Sequence, residues 1–206
     1  MRTYDAPRLA VTGGLACGKS EVGRILARHG WRVLDADDVA HEAMAPGGAA
    51  HEGVVRAFGR EIRAADGRID RARLGARVFA DDAARLALNA IVHPPVVARC
   101  RAWAEEQRRA GRPCAVLVPL LFEAGMDAGW DAVLCVTAPE ADVRDRLRRR
   151  GVADDEAGRR IAAQMPLDEK RRRSDAAIRN DGSRDDLERE TMKTLQDILR
   201  RETQHA

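Results

Sequence analysis

Unbroken apolar runs, instead of alternating ones, punctuate this chain. Leu9 to Thr12, Trp31 to Leu34, Cys114 to Phe122 and Ala132 to Thr137 each stand against Gly, Asp or Pro, and a weaker run spans Ala176 to Arg179. A strand covered on both faces has no solvent side to fill with polar residues, so this pattern predicts a parallel sheet. Between the runs the period lengthens to that of a helix. After the first run, Val22, Ile25, Leu26 and His29 fall at i, i+3, i+4 and i+7, and Gly30 stands where a helix ends. Strand, turn, helix, strand, repeated, predicts an open α/β fold with right-handed crossovers and a ligand site beyond the carboxyl ends of the strands.

Two stretches exceed what a simple crossover needs. One runs from about 38 to 110, mostly helical, with a single turn at Asp66-Gly67; the other runs from about 139 to 173 and is dense in arginine. Both are expected as lobes added at the ligand edge. No repeat, low-complexity tract or long Pro/Ser linker separates them from the rest, so residues 1–206 are expected to form one cooperative domain.

Composition narrows the classes. The chain has 206 residues, 45% of them hydrophobic, enough for a core. Its net charge of only +3 argues against a nucleic-acid glove, and aromatics at 3% leave few platforms for base stacking. Four widely spaced cysteines, Cys17, Cys100, Cys114 and Cys135, form no C-x-x-C pair and suit reduced thiols, so no structural metal is expected. The first residues lack a positive-then-apolar leader, because Arg2, Asp5 and Arg8 interrupt it, and no apolar run approaches the roughly 20 residues of a bilayer span. The expectation is a soluble cytoplasmic protein with no membrane, no nucleic acid and no evident obligate protein partner.

Directly after the first predicted strand stands Gly13-Gly14-Leu15-Ala16-Cys17-Gly18-Lys19-Ser20, which satisfies G-x-x-x-x-G-K-[ST] in its required setting of strand before and amphipathic helix after. In such a loop the backbone N–H groups of Gly14 to Gly18 wrap a phosphate at a helix N-terminus. The lysine, Lys19, reaches the β and γ phosphates, and the Ser20 hydroxyl ligands Mg²⁺. A glycine-rich turn chosen for backbone reasons alone leaves Lys19-Ser20 unexplained. Lysine occurs three times in the chain, at 19, 170 and 193, so its presence at the motif position carries weight. Cys17, close to a helix N-terminus, is read either as an activated thiol whose alkylation blocks ATP or as a small residue filling the loop, the second being favoured.

The kind of nucleotide protein follows by exclusion. There is no N-K-x-D for guanine, and the D-x-x-G match at Asp155 to Gly158 lies outside any strand end. A large ATPase would carry an acid at the close of an apolar strand, whereas Glu123 comes late, beyond Pro119. A small phosphoryl-transfer kinase remains, whose acceptor hydroxyl needs a carboxylate near it. Asp35 and Asp37 close the second run and share a side if the strand extends that far; alternatively Asp37 or Asp38 caps the next helix.

At this point the chain resembles the dephospho-coenzyme A kinase family. The likeness rests on Val11-Thr12-Gly13-Gly14 through Lys19-Ser20, Asp35-Ala36-Asp37, Asp66-Gly67, Val78-Phe79, Leu88-Asn89 with His93-Pro94, Val118 to Glu123, Gln164, Asp175 and Asn180-Asp181-Gly182. It implies a P-loop kinase fold with a five-stranded parallel sheet flanked by helices, a helical CoA-binding lobe near 38–110 and a lid near 139–173. It also implies ATP and Mg²⁺, phosphorylation of the 3′-hydroxyl of dephospho-CoA to coenzyme A, and Asp37 as catalytic base. Val143 stands where many members carry Gln, and Ser174 replaces their usual Ala.

The remaining candidates are weighed on their own residues. Among the lid arginines, Arg146 and Arg150 lie four apart and hence on one helical face, the first expected at ATP and the second in catalysis. For His93 the resemblance implies a place at the CoA end of the substrate, while the residue by itself reads equally as capping a helix or filling a core pocket. Glu123 is expected to orient substrate or a water, against a salt bridge with an arginine. Asn180 follows the weak fifth strand and is expected at the adenine, against an Asn-Asp-Gly turn kept for its geometry.

Overall fold

A computed structural model describes residues 6–204, except the side chains of Phe79, Ala80 and residues 201–204; Arg2 and Asp5 lie outside that range. The apolar runs become strands: β1 (Arg8–Gly13), β2 (Arg32–Asp35), β3 (Cys114–Leu117), β4 (Ala132–Thr137) and β5 (Ala176–Arg179). Among the described residues they form one sheet in the order β2-β3-β1-β4-β5. The central strand β1 runs parallel to both neighbours, with Leu9 opposite Ala115 on one side and Ala132 on the other. β5 pairs parallel with β4, Leu134 opposite Ala176. Leu9, Ala10, Val11, Val116, Leu134 and Val136 are all fully buried, which is why their segments carry no polar alternation.

Two strand limits differ from the sequence reading. The third run stops being strand at Leu117, because Pro119 has no N–H to offer the ladder. Val118, Leu121 and Phe122 stay apolar for a different reason, being buried within the turns that follow. The second strand starts at Arg32, whose N–H donates to the Pro113 carbonyl, and ends at Asp35. Trp31 instead closes the preceding helix.

That helix, α1 (Lys19–Arg28), ends as its glycine predicts. Gly30 is left-handed at φ +86°, its N–H donates to Ala27, and the Trp31 N–H reaches back to the Leu26 carbonyl, a Schellman closure. Val22, Ile25 and Leu26 face the sheet. At Gly23 a Cβ would sit 2.8 Å from Leu117 and 3.4 Å from Val33, so glycine lets α1 lie close on β2 and β3. On the same core pack α6 (Glu140–Arg149), through Val143 and Leu147, and α9 (Arg184–Gln204), through Leu187, Leu195 and Ile198. Val143 is therefore a core residue. Two further helices, α7 (Asp154–Ala162) and α8 (Leu167–Arg173), lead to β5, whose start is fixed by Asp175. Its Oδ2 accepts the Val133 N–H at 2.7 Å, and its own N–H donates to the Val133 carbonyl.

The chain divides into two compact units, 1–34 with 104–206, and 35–103. Residues 139–173 fall inside the first. The second holds α2 (Ala36–Ala43), α3 (His51–Phe58), α4 (Arg71–Ala80) and most of α5 (Asp82–Arg109). Its core is Val39, Val54, Val55, Phe58, Ile62, Leu74, Val92 and Val96. Buried His51 ties α3 to the Asp66-Gly67 turn by Nε2 at 3.0 Å from the Gly67 carbonyl, and Asp70 caps α4 by accepting the Ala72 and Arg73 N–H groups.

The tightest backbone passage in the sheet is at Gly13. Its φ is +143°, and a Cβ there would lie 2.1 Å from the Val136 carbonyl oxygen, a backbone atom that cannot turn aside. Gly13→Ala is expected to lower stability by about 3 kcal/mol, read as a fall in the urea midpoint at unchanged slope.

Candidate active site

The phosphate motif is built at the point where β1 meets α1. Gly13 leaves the sheet, Gly14 to Gly18 turn, and Lys19 opens the helix. Ala16 turns at φ +54° and Gly18 at φ +108°, and the first turn of α1 follows at once, its leading N–H groups having no carbonyl one turn back to bond. Those donors and the positive end of the helix dipole converge on the loop, the arrangement an anion requires. The Lys19 ammonium lies over this loop, donating to the carbonyls of Gly13 at 3.0 Å and Gly14 at 2.7 Å. Ser20 is exposed in the first helical turn, and Leu15 and Ala16 are half-buried against the core.

Residues distant in the chain brace the loop. The buried Asn180 carboxamide, just past β5, donates from Nδ2 to the Cys17 carbonyl at 2.8 Å. It sits so close that a Cβ on Gly18 would come within 2.2 Å of it. Arg146, on α6, spans two carbonyls, Nη1 to Ala16 at 3.2 Å and Nη2 to Asn180 at 3.1 Å. Leu167, at the start of α8, lies 3.5 Å from where a Cβ on Gly14 would stand. The structure thus gathers Gly14 to Ser20, Arg146 and Asn180. Arg150 is not among them: it forms the C-terminal cap of α6 and is exposed. One helical face is a direction, and the helix ends before Arg150 completes it.

Cys17 is a filler, as the favoured reading held, and the activated thiol is corrected. The side chain is 1% exposed, and burial pushes the thiol up, outweighing the pull of Lys19, the Ala138 and Gly14 backbone and Arg146. A helix N-terminus does not activate a sulfur that water cannot reach.

The two aspartates after β2 divide their tasks differently from either reading. The strand does not continue to Asp37, and neither Asp37 nor Asp38 caps the helix. Asp35 is the cap, accepting the Asp37 N–H on Oδ1 at 2.9 Å, and Asp37 stands exposed in the first turn of α2. His93 lies in the interior of α5, followed by Pro94 and Pro95 in the same helix, so it caps nothing; it is half-buried. Glu123 lies six residues past β3, and its partner is a lysine, not an arginine. Its Oε1 accepts from Lys170 Nζ at 2.9 Å and from the Met165 N–H at 2.9 Å. Sequence reasoning missed Lys170, Thr12 and Leu167 around the loop. The scarcity of lysine that marked Lys19 marks Lys170 equally.

Among the described residues no group of three His, Cys, Asp or Glu side chains could cage a metal, and no helix is long and apolar enough to cross a membrane. The exposed Ser20 hydroxyl is a hard oxygen donor, which fits a cation such as Mg²⁺ that keeps its waters and takes the rest of its shell from phosphates.

Comparison with known proteins agrees with this geometry. A model of the dephospho-CoA kinase family matches residues 8–186. The dephospho-CoA kinase of Geobacter sulfurreducens is 45% identical over 183 residues, 88% of this chain and 93% of its own. Among solved structures, a Thermus thermophilus protein superposes with a TM-score of 0.76 at 36% identity, covering 93% of this chain and 97% of its own. The dephospho-CoA kinase of Campylobacter jejuni superposes with a TM-score of 0.68 at 26% identity, covering 93% and 96%.

All four thiols are buried, and burial raises Cys100, Cys114 and Cys135 to about 11. A pKa near 11 leaves roughly one thiolate in a thousand at pH 8, against about a quarter for an ordinary cysteine. Ellman's reagent at pH 8 is expected to find almost no thiol in the native protein and all four after denaturation. Rapid native labelling of Cys17 would contradict its inert placement.

Proposed function

This chain belongs to the dephospho-CoA kinase family, and on that premise we propose how its residues transfer the γ-phosphoryl of ATP to the 3′-hydroxyl of dephospho-CoA, giving coenzyme A and ADP. The observation that carries the reading is the phosphate loop: Gly14 to Gly18 turning between a buried strand and a helix N-terminus, with Lys19 laid over them. Phosphoryl transfer asks for little covalent chemistry from a protein and much positioning and charge. The backbone N–H groups of Gly14, Leu15, Ala16, Cys17 and Gly18 hold the β-phosphate. The Lys19 ammonium, which here donates to two loop carbonyls, exchanges them for β- and γ-phosphate oxygens, a stronger charge-assisted bond.

Ser20 and phosphate oxygens would hold Mg²⁺, which when bound neutralises charge on the transferring group. Asn180 holds the Cys17 carbonyl from inside the protein, which supports its assignment to the nucleotide end of the loop. Arg146 does the same for Ala16 and adds a positive charge beside the loop. Arg150, exposed at the end of α6, is the cation assigned to the charge that spreads over the γ-phosphoryl in the transition state.

Asp37, its carboxylate exposed at the head of α2 and its backbone fixed by the Asp35 cap, accepts the proton of the attacking hydroxyl. His93 contributes to binding the CoA end. Glu123, committed to Lys170 and Met165, is withdrawn from direct substrate contact.

The test is ADP release with ATP and Mg²⁺, comparing dephospho-CoA with adenosine, AMP and shikimate, with the product's added phosphate confirmed by mass. Turnover confined to dephospho-CoA is expected; turnover with none of them would sink the assignment. Asp37→Asn is expected to lower kcat by about 10²-fold or more with ATP binding within about twofold of wild type. The arginines should separate. Arg150→Ala is expected to lower kcat at unchanged KM for ATP, and Arg146→Ala to raise that KM.

A further inference from the structure

One buried charge has no part in the transfer just described. Lys170, on α8, has no solvent exposure at all, an environment that lysine enters only when paired. Its Nζ donates to the Pro119 carbonyl at 2.6 Å and meets Glu123 Oε1 at 2.9 Å. The same carboxylate oxygen takes the Met165 N–H, and the same Pro119 carbonyl takes the Thr12 hydroxyl at 3.4 Å, one residue before the phosphate loop begins. Three residues along α8, Arg173 pairs with Asp127 at 2.9 Å and covers the Phe122 ring at 4.4 Å. α8 and the residues that lead into it are therefore joined to the segment leaving β3 at several directional points. Between Met165 and Lys170 lies Leu167, 3.5 Å from where a Cβ on Gly14 would stand.

We infer that Lys170 is a positioning residue for the phosphate loop: its ammonium registers residues 165–170 against Pro119 and Glu123, and that registration sets Leu167 on the Gly14 side of the loop. A leucine or methionine would fill the same volume without the desolvation that a buried ammonium costs, so what the charge adds is direction. An ammonium that donates to both a carbonyl and a carboxylate allows one placement of α8, where apolar packing allows several. Gly14 has no side chain to fix its own position; the Cys17 sulfur, 2.8 Å from where its Cβ would stand, walls it from within the loop, and Leu167, at 3.5 Å, is the wall that α8 adds. The inference rests on the loop's being the ATP site.

Lys170→Met and Glu123→Gln test it, with circular dichroism for fold, titration with a fluorescent ATP analogue for binding, and steady-state KM for both substrates. Lys170→Met is expected to keep the native spectrum, raise the Kd and KM for ATP about tenfold, and leave the KM for dephospho-CoA within about twofold. A role in stability alone would lower the melting temperature and leave both Michaelis constants where they were, and that result in folded Lys170→Met overturns the inference. Should Lys170→Met not fold, Glu123→Gln decides, since it keeps the shape and an acceptor while removing the charge. A rise in ATP Kd of about threefold or more supports the inference, and an unchanged Kd overturns it. Wild-type protein that binds the ATP analogue while the variants bind it equally well refutes this positioning role alone; wild-type protein that binds none refutes the ATP reading with it.

Discussion

The closeness of backbone to backbone where β1 leaves the sheet is the constraint on which the rest depends. Gly13 passes the Val136 carbonyl with no room for a methyl group, and Gly18 passes the Asn180 carboxamide in the same way. Because both approaches exclude a side chain, the phosphate loop is pressed between the ends of β4 and β5, and its carbonyls meet partners from inside the protein. The Cys17 N–H turns inward to the Gly14 carbonyl and the Glu21 N–H to that of Gly18, and the other N–H groups at the loop and the head of α1 are the donors left for an anion. An anion site made of main chain needs this sorting, since donors and acceptors alternate along any backbone and only tertiary partners can occupy one kind.

Those partners arrive from far along the chain. Asn180 lies 163 residues from Cys17, and Arg146 lies 130 from Ala16. Each rides on the carboxyl end of a parallel strand or on the helix that follows one, so the strand order β2-β3-β1-β4-β5 is what brings them together. Lys170 and Glu123 extend the same logic to β3 and α8. These contacts differ in kind from most of the chain's ion pairs. Arg144–Glu140, Arg149–Asp145 and Arg159–Asp155 are solvent-exposed pairs four residues apart, screened by water and adding little to stability. Lys170–Glu123 is long-range and buried at its cationic end, where the pairing is a condition of the lysine's being there at all.

The differences between sequence and structure have common causes. Apolar character reported burial and not strand: Val118, Leu121 and Phe122 are buried in turns, so the third run read as longer than β3. Spacing reported direction and not reach, so Arg146 and Arg150 separate once α6 ends between them. Local electrostatics suggested an activated Cys17, and the desolvation that reverses it comes from residues packed over the loop. The Asp35-Ala36-Asp37 motif was legible as chemistry but not as geometry, because which acid caps the helix depends on where the strand stops, and here it stops at Asp35.

By itself the sequence determined the fold class, the strands in outline, the first helix with its glycine stop, and a phosphate loop with Lys19 and Ser20 at its end, because all of these are set by periodicity and by backbone freedom within a few neighbouring residues. The family likeness, too, was legible in motifs spread along the chain. Only the tertiary structure decided which polar groups the fold occupies: Asn180 and Arg146 turned onto loop carbonyls, Glu123 committed to a buried lysine, Cys17 sealed from water. The physical reason is that a hydrogen bond or a desolvation requires two groups to be adjacent in space, and adjacency across more than a hundred residues is a property of the folded sheet.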